Sequence, residues 1–180
     1  MQITSRRWLL RERTAEAHAA VDAAIGGFHD LPSYGNYLRA IAAFRRPIED
    51  RLNSVAWPEA LLDWRPARVS EAIAADLADL GIRPDASRPQ QVPLEGDSLF
   101  GALYVLEGSA LGARLLLARA ESIGLSAGFG ARHLALLGSN IDGWRGFLAR
   151  LEQVEPFDLE MALEGSLATF HSARLAFGAT

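Results

Sequence analysis

Cysteine and lysine are both missing from this 180-residue chain. Without cysteine there are no disulfides, thiolate nucleophiles, thiolate-ligated iron groups, iron–sulfur clusters or cysteine-type zinc sites. A reducing compartment is the expectation. Without lysine, all 18 basic side chains are arginine, so no Schiff-base amine exists and a carboxylate-bearing ligand must be gripped by guanidinium groups. No apolar run approaches the roughly 18 residues needed to cross a bilayer, and no charged-then-apolar leader with a small-residue cleavage site stands at the N-terminus. The chain is therefore expected in the cytoplasm, with no membrane partner. A net charge of −4 argues against a polyanion-binding surface, so nucleic acid is not an expected partner.

What is present is helical. With 49% hydrophobic and 22% charged residues, the chain suits one globular domain over 1–180 with a sizeable core. Strand-like alternation is almost absent. Residues 5–25 carry apolar positions at helical spacing and stop at Gly26-Gly27. A second helix runs from Pro32 to about Val55, with Ser33 as its N-cap and a kink at Pro47. A short helix fits between Trp57 and Pro66, and a clearer one spans Arg68 to Leu80 before Gly81. The stretch from Ile82 to Gly96, with prolines at 84, 89 and 93, reads as a surface connection. Asp97 or Ser98 caps a glycine-bearing helix that extends to about Gly124, and further helices fit Ile141 to Val154 and Phe157 to Phe177. The expected fold is an all-α, single-domain bundle of about seven helices.

Gly108 and Gly112 lie in the middle of that glycine-bearing helix. Each costs about 1 kcal/mol against alanine, and four-residue spacing puts both on one face. Bare backbone must be needed there, either for a closely packed helix or for a flat ligand. The tetrapeptide Leu-Glu-Gly-Ser occurs at 106–109 and again at 163–166, but the flanks differ and no repeat architecture follows.

Of the histidines at 18, 29, 133 and 171, His18 stands apart for its neighbours. At about 100° per residue, Arg11 and Arg7 lie about 20° to either side of it and Thr14 about 40° away. Arg11 is roughly 10 Å along the axis, the separation between the centre of a porphyrin and its carboxylates. Asp22, one turn on, can hold the Nδ1–H so that Nε2 faces a metal.

Leu10-Arg-Glu-Arg-Thr-Ala-Glu-Ala-His18 resembles the proximal-helix signature of heme oxygenases, and Tyr104-Val-Leu-Glu-Gly-Ser-Ala-Leu-Gly112 resembles the distal-helix signature of their bacterial branch. The resemblance covers essentially the whole chain. It implies a heme oxygenase-type bundle with heme sandwiched between a proximal and a distal helix, heme being both cofactor and substrate. His18 would be the iron ligand. Gly108 and Gly112 would let backbone approach the space where dioxygen reacts, and Ser109 stands where animal members have an aspartate that organises water. Arg11, together with Arg145 or Arg150, would meet the propionates, and Phe147 and Phe170 would wall the pocket. Glu107, about 100° around the helix from Gly108, is given no acid role. The implied reaction turns heme into biliverdin, carbon monoxide and ferrous iron, with dioxygen and an electron donor such as a ferredoxin or flavin reductase. The competing readings are a heme carrier or sensor that does not degrade its ligand, a thiaminase-like enzyme whose usual cysteine is missing, and a helical module whose glycines serve packing alone.

Overall fold

The computed structural model describes residues 5–85 and 91–178. The middle of the expected 82–96 connection, Pro89 included, lies outside the described residues. Among the described residues eight α-helices follow one another: α1 (Arg6–Arg13), α2 (Ala15–Ile25), α3 (Leu31–Arg51), α4 (Ser70–Asp79), α5 (Gly96–Ser122), α6 (Arg132–Ser139), α7 (Ile141–Gln153) and α8 (Leu159–Ala176). A short 3₁₀ turn, Glu59–Leu61, replaces the helix expected between 57 and 66. Among the described residues no β-strand forms, apart from isolated bridges around Ser126.

The expected first helix is two helices. Thr14 leaves helical geometry at φ −108° and ψ 4°, and its hydroxyl donates to the Leu10 carbonyl at 2.7 Å. Back-bonding of this kind competes with the helix at the point where the chain bends. The second helix is capped by Asp30 instead of Ser33: the Asp30 carboxylate accepts from the Ser33 amide at 2.8 Å, and Ser33 sits at the third helical position. Pro47 is accommodated within α3, which ends at Arg51 and not near Val55. α5 starts at Gly96, ahead of the expected caps; Asp97 instead accepts from the Asp158 amide at 2.6 Å, steadying the entry to α8. α6 was not expected.

α5 runs through the centre, against α6, α7 and α8. By length and composition it is apolar enough to cross a membrane, contrary to the expectation from unbroken apolar runs, and half of its most apolar window is buried inside the protein. One apolar cluster, around Phe100, Leu103, Trp144 and Phe147, gathers about its first half. A second, around Tyr34, Tyr37, Ile73 and Leu134, gathers about its C-terminal half. The close crossing is with α8. A Cβ on Gly101 would stand 1.7 Å from the Ala162 carbonyl oxygen, and one on Gly165 would stand 2.0 Å from that of Ser98. Ser166 fills the junction, its hydroxyl 3.0 Å from the carbonyls of both Gly101 and Ala162. The second Leu-Glu-Gly-Ser thus builds a helix crossing.

Candidate functional site

Gly108 and Gly112 are not part of that crossing. A Cβ on Gly112 would meet nothing within 4 Å, and one on Gly108 would make only an ordinary 3.7 Å contact with the Trp144 ring. Helix-to-helix packing therefore does not account for them.

At about 100° per residue, Tyr104, Gly108, Leu111, Gly112, Leu115 and Arg119 fall within about 100° of arc on α5. Leu111 and Leu115 are 57% and 60% exposed, an apolar surface without a protein partner. The stripe is bounded at both ends. Tyr104 is close enough to Arg7 and Arg11 of α1 that their charges oppose the upward push of burial on its phenol. At the other end Arg119 donates to the carbonyl of Gly26, just past α2, at 3.4 Å. In sequence, His18 falls between Arg11 and Gly26, and Gly108 and Gly112 fall between Tyr104 and Arg119, so the contacts at Tyr104 and at Arg119 tie the two segments together on either side of these residues. The space between the segments is the candidate cleft, and α8 packs against both α2 and α5.

His18 is 63% exposed, with Nδ1 3.0 Å from Asp22 Oδ2. A proton on Nδ1 facing this carboxylate would leave the Nε2 lone pair for a metal. The ring edge rests on Phe170 at 5.7 Å in T-shaped geometry. Among the described residues no three His, Asp or Glu side chains converge on one point. Ser109 is exposed, and its hydroxyl donates to the Leu106 carbonyl at 2.6 Å. Its lone pairs are left to accept.

The other expected residues divide. Thr14 is buried at the α1–α2 break and does not join the cleft. Phe147 is fully buried, stacked on Trp144 at 5.9 Å and close to Trp64 at 5.3 Å, so it backs the wall from within the core and does not line it. Arg145 is exposed and paired with Asp142 at 3.3 Å. It lies about 20° around α7 from Glu152, which touches α1. Arg150 lies about 160° from Glu152 and is bound to Asp63 at 2.9 Å on the opposite side of α7. Glu107 is sealed under α5, accepting from the Ala67 amide at 2.9 Å and from Asn140 Nδ2 at 2.8 Å. Burial pushes its carboxyl pKa up. Tyr104, Leu111, Leu115 and Trp144 were not singled out from sequence, although the first three continue the glycine stripe by simple helical counting.

No protein-family model matches the chain. It is 32% identical over 167 residues to the heme oxygenase PigA of Pseudomonas aeruginosa, spanning 88% of this chain and 84% of that protein. A heme oxygenase of Xanthomonas campestris pv. campestris is 33% identical over 135 residues, 72% of this chain and 79% of the relative. Among solved structures, the NO- and CO-bound heme oxygenase from Neisseria meningitidis superposes with a TM-score of 0.73 at 24% identity, covering 98% of this chain and 94% of that one. That likeness is one of fold.

Proposed function

Because this chain belongs to the heme oxygenase family, we propose that it is a single-domain, heme-degrading monooxygenase that converts heme to biliverdin, carbon monoxide and ferrous iron. The observations that carry the reading are an exposed imidazole beside the Asp22 carboxylate and, on α5, two glycines that no neighbouring helix crowds. Bound heme supplies both the redox metal and the ring that is opened. His18 holds the metal through Nε2, and Asp22 fixes the tautomer and raises the ligand's basicity. Phe170 limits how the imidazole can tilt. Leu111 and Leu115, both on the α5 stripe, would cover one apolar face of the ring, where burial drives binding.

Arg7, Arg11 and Tyr104 make one end of the cleft cationic and hydrogen-bonding, which suits the two propionates. Arg145, on the α1 side of α7, is the better placed of the two later arginines to join them. At Gly108 and Gly112 the missing side chains leave room for dioxygen close to main-chain dipoles. Ser109 orients water there by accepting, since its proton is committed to Leu106. Electrons come from a cytoplasmic donor such as a ferredoxin or flavin reductase.

Titration with hemin is expected to give the absorption of a histidine-ligated heme, and reductant in air a bilin spectrum. His18→Ala is expected to lose turnover and regain part of it with added imidazole. Heme that survives reductant and air unchanged would mark a carrier and overturn the reading.

A further inference from the structure

α1 is short, exposed and broken from α2 at Thr14, with Leu10 its one buried residue. Eight residues in isolation do not hold a helix in water, yet this helix carries Arg7 and Arg11. Its hold comes from α7. Glu152 Oε1 accepts from the Ser5 hydroxyl at 2.6 Å and the Arg7 amide at 2.9 Å, and Oε2 accepts from the Arg6 amide at 3.0 Å. One carboxylate from 145 residues away satisfies the first turn of α1. Arg6 returns the arrangement, donating to the carbonyls of Leu151 at 2.8 Å and Val154 at 2.6 Å at the end of α7. Its guanidinium also pairs with Glu155 and lies 4.5 Å over the Phe157 ring. The two helices cap each other.

We propose that Glu152 is a positioning residue for the ligand's carboxylates: it latches α1 to α7 and so holds Arg7 and Arg11 at the Tyr104 end of the cleft. The inference rests on the heme reading given above. Glu152 is bonded to the Arg7 amide and not to a guanidinium of the cleft. Its bonds go to the backbone of Arg6 and Arg7 and to Ser5, and Arg11 is one helical turn further along the same face as Arg7. When the latch opens, the fraction of molecules presenting both guanidiniums falls, and apparent affinity falls with it. A ligand with no carboxylates has nothing to gain from those guanidiniums, so its affinity does not follow.

The test is absorption titration of the full chain with hemin and with hemin dimethyl ester, in wild type, Glu152→Gln, Arg6→Ala, Arg11→Ala and Glu152→Gln/Arg11→Ala. Wild type is expected to prefer hemin. Glu152→Gln and Arg6→Ala should each weaken hemin binding about tenfold while leaving the ester within about twofold, and the double variant should be little worse than Arg11→Ala. Equal losses for both ligands, or full additivity with Arg11→Ala, would assign Glu152 a merely structural role and overturn the proposal. A wild type that binds hemin without preferring it to the ester also overturns it, leaving the heme reading intact. If wild type binds neither, the heme reading itself fails and takes the latch with it.

Discussion

Gly165 of α8 sits so near Ser98 of α5 that a Cβ on it would lie 2.0 Å from the Ser98 carbonyl oxygen. Gly108, in the other copy of the tetrapeptide, would make only an ordinary 3.7 Å contact with Trp144 on gaining a Cβ, and Gly112 would meet nothing within 4 Å. Opposite outcomes are expected. Gly165→Ala must push two backbones apart and should cost about 3 kcal/mol or more. Gly112→Ala should leave the ligand-free protein as stable or up to about 1 kcal/mol more stable, because alanine favours the helix. It should nevertheless impair heme turnover by filling the cleft. Thermal melts of the two ligand-free variants, with turnover of the second, check the pair. Equal destabilisation would show that both glycines serve packing.

That contrast separates what local arithmetic reveals from what it cannot. The His18–Asp22 pair and the 108/112 pair were legible because each lies within one helix, where counting fixes relative placement; Arg11 lies beyond the break at Thr14, and counting does not place it against His18. The 101/165 crossing depends on which helices meet, and spacing within either segment says nothing about that. α6 was missed for a related reason: its first amides are bound from another helix, Arg132 and His133 by Asp76 at 3.0 and 3.1 Å. Asp79 accepts from the Gly130 amide just before it. α4 is capped by Glu49 in the same manner, and α1 by Glu152 in addition to its own Ser5, which accepts from the Trp8 amide at 3.3 Å. Caps supplied across the fold leave no signature beside the helix they start. Phe147 and Arg150 show the converse limit, since the faces of α7 acquire their meaning only from the partners packed on each side.

Asp22 is expected to act on affinity through the imidazole. Outer partners of metal-bound histidines typically matter by tenfold or more, and this one is well exposed, so Asp22→Ala should weaken hemin binding by about tenfold or less. Resonance Raman of the ferrous protein supplies an independent readout. Loss of the carboxylate should lower the iron–histidine stretching frequency, because the ligand becomes less basic. An unchanged frequency would show that Asp22 does not bear on the ligand.

Stability should fall on acidification, and the sign follows from a buried pair away from the cleft. His133 is fully buried, with Nδ1 2.7 Å from Asp76 Oδ2 and Nε2 3.2 Å from the Tyr37 hydroxyl. Burial holds its imidazole below the ordinary pKa despite the opposing pull of Asp76. Burial would raise Asp76, but bonds from the His133 ring and from the amides of His133 and Arg132 outweigh it, and its pKa is lowered. Both groups bind protons more readily once unfolded. The folded state therefore loses stability as pH drops below about 6.5, and again through the carboxylate range. Glu107, raised by burial, works in the other direction: its contribution is greatest at low pH and is lost as pH climbs past the ordinary glutamate range. Urea unfolding from pH 7.5 to 5 should show a decline in wild type and a shallower one in His133→Gln. Parallel profiles would rule out His133 as the source.

Arg45 and Glu49 form an ion pair at 2.9 Å with side chains only 1% and 2% exposed. Arg45 also donates to the carbonyls of Leu106 at 3.2 Å and Ala67 at 2.9 Å, and Glu49 accepts from the Ser70 amide at 3.0 Å. Neither charge is reached by water, so each is tolerated only because the other is present. Glu49→Leu should therefore cost about 3–5 kcal/mol by stranding the guanidinium, and adding Arg45→Met should recover much of that loss. Denaturant titration of both single variants and the double closes the cycle, and simple additivity would mean the pair does not act as a unit. The Leu106 carbonyl that Arg45 binds is also the acceptor for Ser109. A double variant that folds normally should thus still show altered heme turnover, because the acceptor that orients Ser109 has lost a positive neighbour.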